Sequence, residues 1–232
     1  MAIEMIAFDA DDTLWKTEAN FEKAQEELEK ILSPWQDSEQ TEEIVYKTEM
    51  ENLSIYGLGV KAFTLSMIEA ALQISQGEIQ GDSIEQIIAL GREMLEAEVE
   101  LLPHVAEIIP TLSKDYPLMV VTKGDLLDQT TKISRSGLGP YFSLVEVVSD
   151  KSPYSYTKVL EKFHLDPKNL VMVGNSLKSD ILPILKLGGT AVHIPASTTW
   201  AHELVADFDA TQDGFYELEH MGHLPELIAK IA

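Results

Sequence analysis

The 232-residue chain carries 39 acidic against 17 basic side chains, a formal charge of −22, and 45% of its residues are hydrophobic. A chain of that length buries a full core, as one domain or two unequal ones, and its apolar content excludes wholesale disorder. A surface this negative repels nucleic acid and anionic membranes, and it also repels a phosphorylated substrate, so any phosphate chemistry needs cations gathered locally. The absence of cysteine excludes disulfides, thiolate catalysis and zinc–thiolate sites. No basic segment leads an apolar stretch at the N-terminus, and no apolar window reaches membrane-spanning length. The expectation is a soluble, cytoplasmic protein, monomer or homodimer, with no nucleic-acid or membrane partner.

The apolar run Ile3–Phe8 ends abruptly in Asp9-Ala10-Asp11-Asp12-Thr13. Such a run reads as a buried parallel strand that delivers acids to its C-terminal tip, where open α/β sheets place their ligands. Asp9 and Asp11 are two residues apart, so on extended backbone they start on one face. Two acids held together repel, and a cation, a shared proton or a phosphoryl group would justify the pair.

After Thr13 the spacing turns helical. Phe21, Ala24, Leu28, Ile31 and Leu32 recur at threes and fours until Ser33-Pro34. Helical character continues to about Leu102, broken at Gly57, Gly59, Gly77 and Gly81, with Ile84–Leu102 as the last amphipathic stretch; no strand is predicted in residues 15–102. From Pro103 strands and helices alternate. Helices are predicted over Val105–Ser113, Leu126–Ser136, Tyr154–Phe163 and Ile181–Leu187, and strands over Pro117–Thr122, Leu144–Val148, Leu170–Val173 and Thr190–Ile194. A short segment near Ala210 and a helix from about Pro225 complete the chain. This alternation predicts parallel strands joined by right-handed crossovers. The N-terminal strand has no partner among its helical neighbours, so it joins the later sheet. Residues 1–14 and 103–232 are therefore expected to form an α/β core, and residues 15–102 an inserted helical domain on two backbone connections.

The first four core strands each run out into polar residues. The first tip carries Asp9 and Asp11, the second Thr122-Lys123-Gly124-Asp125, the third Ser149-Asp150-Lys151. The fourth carries Gly174-Asn175-Ser176, with Asp180 beyond. All four lie on one edge of a parallel sheet, and they form an inventory for phosphate plus a hard cation.

In these motifs the chain resembles the haloacid dehalogenase superfamily, in its phosphatase branch. Phe8-Asp9-Ala10-Asp11-Asp12-Thr13-Leu14 is similar to the family's first motif, Val121-Thr122 to the second, Lys151 to the third, and Val171–Ser176 running on to Ser179-Asp180-Ile181 to the fourth. The resemblance implies a Rossmann-like parallel-sheet core with helices on both faces, and a helical cap of the C1 type. It also implies a magnesium-dependent phosphomonoester hydrolase acting on a small phosphorylated substrate. Asp9 would be the nucleophile, forming an aspartyl-phosphate. Asp11 would be the acid–base group, with a pKa raised by burial and by Asp9. Thr122, assisted by the Lys123 backbone N–H, and Lys151 would bind the phosphoryl group. Magnesium would sit among Asp9, the Asp11 carbonyl, Asn175 and Asp180. The family's phosphatases usually have aspartate where this chain has Asn175, a neutral and therefore weaker ligand.

Each role has a plainer alternative. Thr122 also suits a helix cap, Lys151 a solvated surface position, and Asp180 a first-turn acid favoured by the helix dipole. The six histidines show no metal-ligand spacing and read as surface or packing residues. Carbon–halogen hydrolysis is disfavoured by Asp11, which the dehalogenase branch lacks; a catalytically weak phosphate-binding module is the other alternative, suggested by Asn175. Substrate specificity is expected from Trp15, Lys16, Tyr56 and Lys61, although Tyr56 equally reads as a packing residue.

Overall fold

The computed structural model describes residues 2–198 and 200–232. Six parallel strands form one sheet: β1 (Met5–Phe8), β2 (Leu118–Lys123), β3 (Leu144–Val148), β4 (Leu170–Gly174), β5 (Thr190–His193) and β6 (Phe215–Glu217), in the order β3-β2-β1-β4-β5-β6. β1 lies at the centre, pairing with β2 on one side and β4 on the other. Phe8 stands beside Val173, one residue before the end of β4, and beside Val120, three residues before the end of β2, so Asp9 emerges at the C-terminal edge of the sheet. Successive side chains of a strand face opposite layers. Ile6 and Phe8 enter a core with Val105, Ile109, Leu224 and Ile228, from the helices α5 (Val105–Leu112) and α9 (Leu224–Ile231). Met5 and Ala7 enter the opposite layer with Tyr156, Leu160 and Ile184, from α7 (Pro153–Phe163) and α8 (Leu182–Lys186). Helices thus cover both faces of a parallel α/β sheet.

The chain divides into two compact units, one of Met1–Glu18, Val99–Lys123 and Gln129–Ala232, the other of Ala19–Glu98 and Gly124–Asp128. The second contains α1 (Glu18–Leu32) from Ala19 onward, α2 (Ser38–Tyr56), α3 (Val60–Ile74) and α4 (Gly81–Glu96). Its core gathers Leu28, Leu32, Val45, Phe63, Met67 and Ile87. The predicted glycine breaks fall where these helices meet, and Gly57, Gly59 and Gly77 have positive φ. Gly59 is required twice over: its φ is +105°, and a Cβ there would stand 3.2 Å from the Asp125 backbone nitrogen.

Two elements depart from the sequence reading. The segment near Ala210 contributes its strand later, at Phe215–Glu217, as the outer strand β6. The helix expected over Ile181–Leu187 is preceded by a wide turn, Leu177–Ile181, with π-type hydrogen bonding and Ser176 as its cap. Such wide turns gather at functional sites.

Candidate active site

The tip of β1 turns sharply at Asp12, whose φ of +58° is left-handed. The Asp12 carboxylate accepts hydrogen bonds from the backbone N–H of Thr17 (2.9 Å) and of Glu18 (3.0 Å), the start of α1. Asp12 therefore shapes the turn, and Asp9 and Asp11 are left to the site.

Asp9 is buried, 6% exposed. One of its oxygens accepts a close hydrogen bond from the Lys151 ammonium. The other lies 3.1 Å from the Thr13 hydroxyl. Lys151, 5% exposed, also donates to Asp180 at 2.6 Å. The second oxygen of Asp180 accepts from the Ser176 N–H at 3.0 Å. The Asp180 carboxyl lies against Gly174, where a Cβ would come within 2.3 Å of it, so this position needs glycine. A buried lysine thus bridges two buried carboxylates, which compensates charges that none could bear alone. Burial pushes Asp9 up to about 7 despite Lys151, with Asp180 and Asp11 adding repulsion. Burial opposes the charged form of Lys151, but Asp180 and Asp9 win and hold it well above the usual lysine range.

Asp11 is different, and here the expectation of a raised pKa is overturned. Burial pushes it up, but the Lys132 ammonium beside it and hydrogen bonds from Lys132, Thr17 and Gln129 outweigh that and hold it below the usual carboxylate range. Its Oδ1 accepts from the Trp15 indole (2.8 Å), the Thr17 hydroxyl (2.7 Å) and Lys132 (2.8 Å). Its Oδ2 accepts from Gln129 at 2.7 Å. Gln129 and Lys132 lie three apart on α6 (Leu126–Arg135), hence on one face of that helix. Among the described residues the buried Gln129 Oε1 has no hydrogen-bond partner.

Thr122 is buried, and its position at the end of β2 brings it to the same sheet edge as Asp9. The Lys123 side chain turns to Glu203, with a close ion pair, and to the Ser179 hydroxyl at 3.0 Å. Asn175 donates its backbone N–H to the Thr13 hydroxyl at 3.1 Å, and its side-chain oxygen lies 3.1 Å from that same hydroxyl. His193 does not fit the reading of the histidines as surface or packing groups alone. It is buried, with one ring nitrogen 3.0 Å from the Asn175 carbonyl and the other 3.0 Å from Glu217, so it steadies the loop bearing Asn175.

Of the four residues expected to set specificity, Trp15 and Lys16 belong to the first unit and Tyr56 and Lys61 to the second. Trp15 is wholly buried with its indole N–H committed to Asp11, so it positions that acid and presents no specificity surface. Lys16 is exposed and pairs with Glu100. In the helical unit Tyr56 donates to Glu69 at 2.6 Å, and Lys61 pairs with Asp125 at 2.9 Å. Exposed pairs of this kind contribute little.

Sequence reading misses Thr17, Gln129, Lys132 and Glu203. Only Gln129 and Lys132 leave a signal, a polar face on the helix that begins at the β2 tip. Glu203 sits on a single 3₁₀ turn, Ala201–Glu203, too short to show a periodicity.

A family model for haloacid dehalogenase-like hydrolases matches residues 3–188. The chain belongs to that family. Among solved structures, this hydrolase is similar to a haloacid dehalogenase-like family hydrolase from Xanthomonas campestris, at 36% identity and TM-score 0.89 over 99% of this chain and 92% of the other. A 2-haloacid dehalogenase from Pseudomonas syringae shares the fold at 22% identity, TM-score 0.69, over 99% and 100% of the two chains. A glyceraldehyde 3-phosphate phosphatase from Methanothermobacter thermautotrophicus is 25% identical over 210 residues, 86% of this chain and 88% of the relative.

Among the described residues of this hydrolase no three Asp, Glu or His side chains group as a metal cage. Magnesium does not demand one, because it keeps several waters and takes one or two carboxylates together with substrate oxygens. The oxygens of Asp9 and Asn175 that share the Thr13 hydroxyl have the hard-donor chemistry that fits this ion.

Lys132→Met gives a direct check on the state of Asp11. Lys132 is its main cationic neighbour, so the substitution raises the Asp11 pKa. A group that must be protonated to act as an acid loses function above its pKa. The alkaline limb of the kcat profile is therefore expected to move to higher pH in Lys132→Met. A pH–rate profile of both forms reads this, and an unmoved limb would show that Asp11 is not the titrating acid.

Proposed function

We propose that this hydrolase is a magnesium-dependent phosphomonoesterase acting on a small phosphorylated metabolite. The observation that carries this reading is Lys151, buried between Asp9 and Asp180 at the tip of the central strands. In a chain of charge −22, it is the cation placed where a phosphoryl group would meet the nucleophile. The presence of Asp11 two residues beyond Asp9 disfavours carbon–halogen hydrolysis. The name of the Methanothermobacter relative, a glyceraldehyde 3-phosphate phosphatase, supports a phosphate ester as substrate.

Asp9 attacks phosphorus, forming an O–P bond to its carboxylate as the ester O–P bond breaks. The departing alkoxide takes a proton, for which Asp11 is the nearby acid. Water then attacks the acyl phosphate at phosphorus, giving its proton to Asp11 and releasing phosphate and the free Asp9 carboxylate. With Lys132 and Gln129 holding it as a carboxylate, Asp11 stands ready for the second step. The first step requires it to leave Lys132 and take up a proton. Thr122 and Lys151 bind the phosphoryl oxygens. Magnesium, held by Asp9, Asn175 and the Asp11 carbonyl, with Asp180 anchoring Lys151 alongside, would supply charge to screen nucleophile from substrate. The helical unit of Ala19–Glu98 would serve as the cap that selects the substrate.

A magnesium titration with p-nitrophenyl phosphate, run on wild type and Asn175→Asp, tests this reading. Asn175 contributes an uncharged oxygen, so a carboxylate there attracts the ion more strongly, although water screens much of the gain. The half-maximal magnesium concentration is expected to fall on the order of tenfold in Asn175→Asp, about 1.4 kcal/mol. Identical curves would remove Asn175 from the metal site. Phosphate-dependent thermal stabilisation without turnover would favour a phosphate-binding module instead.

A further inference from the structure

Glu203 belongs to none of the four motifs, yet its carboxylate is buried in the middle of the site's supporting structure, 8% exposed. It accepts from Lys123 at the end of β2, and from both hydroxyls of the wide turn after β4, Ser176 and Ser179 (2.6 Å for the latter). Ser176 caps that turn through the Ser179 N–H at 3.0 Å, and its own N–H holds Asp180. Asp180 in turn holds Lys151 against Asp9. A continuous path of hydrogen bonds therefore runs from Glu203 to the nucleophile. Burial opposes the charge on Glu203, but Lys123, Ser176 and Ser179 outweigh it and hold its pKa at about 2. It is thus a buried carboxylate on a three-residue turn, with both oxygens hydrogen-bonded.

We infer that Glu203 is a positioning residue of the active site, tying the β2 tip to the turn after β4 and thereby fixing Asp180 and Lys151 against Asp9. Lys123 accordingly serves through its backbone, its ammonium being committed to Glu203. The inference rests on the phosphatase reading for its kinetic readout and on hydrogen exchange for a readout independent of it.

Glu203→Gln keeps the shape and removes the charge. With p-nitrophenyl phosphate and saturating magnesium, kcat is expected to fall about tenfold or more while KM changes less than about threefold, because the transferring group and not the ground state loses its anchor. Amide exchange at Ser179 and Asp180 is expected to accelerate at least about tenfold, with β4 amides such as Met172 unchanged. Equal acceleration at Met172 would mean general destabilisation and would overturn the inference, as would kcat within twofold of wild type. Should Glu203→Gln fail to fold, Ser179→Ala removes one of the same bonds with less disturbance; a kcat drop of about threefold or more supports the path, and no drop overturns it. A wild-type protein that turns over no p-nitrophenyl phosphate refutes the phosphatase reading alone, since the exchange pattern still decides the role of Glu203.

Discussion

Asp9→Asn is expected to lose phosphomonoesterase turnover by on the order of 10⁶-fold, the scale on which removal of a covalent nucleophile acts in other hydrolases. An amide oxygen is a poor nucleophile and cannot yield the acyl phosphate. The fold should survive, because the substitution is isosteric and the β1 backbone bonds of Asp9, such as its N–H to the Val173 carbonyl at 2.9 Å, are untouched. An amide oxygen also still accepts from Lys151. Circular dichroism and a thermal melt establish the fold, and a phosphate-release assay at high enzyme concentration sets the residual rate. Activity within tenfold of wild type would overturn the assignment of Asp9.

Lys151→Met should impair both stability and activity. Its ammonium is enclosed by Asp9 and Asp180, all three nearly inaccessible to solvent. Removing one partner from a buried ion cluster leaves uncompensated charge and costs about 3–5 kcal/mol. For a domain of this size that corresponds to roughly 6–20 °C in Tm. The deficit should shrink as pH falls. Burial already raises the folded-state pKa of Asp9 to about 7, and without the lysine it rises further, so the folded form takes up protons first, and acid favours it. Turnover should fall at least about 100-fold, as when one electrostatic donor is removed from a charge-stabilising site. Thermal melts across pH 5–8 check the first claim; a deficit constant with pH would contradict the charge argument and leave only packing.

How far the site is legible in the sequence depends on the kind of signal each residue leaves. β1, β2, β4 and β5 are short apolar runs buried on both faces, and the tips of the first three carry polar groups, so strand, tip and crevice can be read together. Asp9, Asn175 and Asp180 are visible because each follows closely on such a strand, and Lys151 because it follows the less buried β3 directly before a Ser-Pro helix start. β6 is not read as a strand because three residues, Phe215–Glu217, none of them fully buried, carry too little pattern. The turn Leu177–Ile181 escapes because π-type spacing matches neither helical nor strand periodicity. The state of Asp11 is misjudged for a different reason. Burial and the neighbouring Asp9 are local and raise its pKa, whereas the residue that reverses the sign, Lys132, lies 121 positions away. Glu203 likewise lies 80 positions from Lys123 and 24 from Ser179. Long-range charge pairing from short turns is the part that no local pattern encodes.

The most direct test of magnesium-dependent phosphate chemistry at Asp9 is inorganic phosphate release from p-nitrophenyl phosphate by wild-type protein, with saturating magnesium and again after chelation, beside Asp9→Asn. Steady release with magnesium, abolished by the chelator and absent from Asp9→Asn, is the expected result. Release that is indifferent to chelation, or that persists in Asp9→Asn, would contradict it.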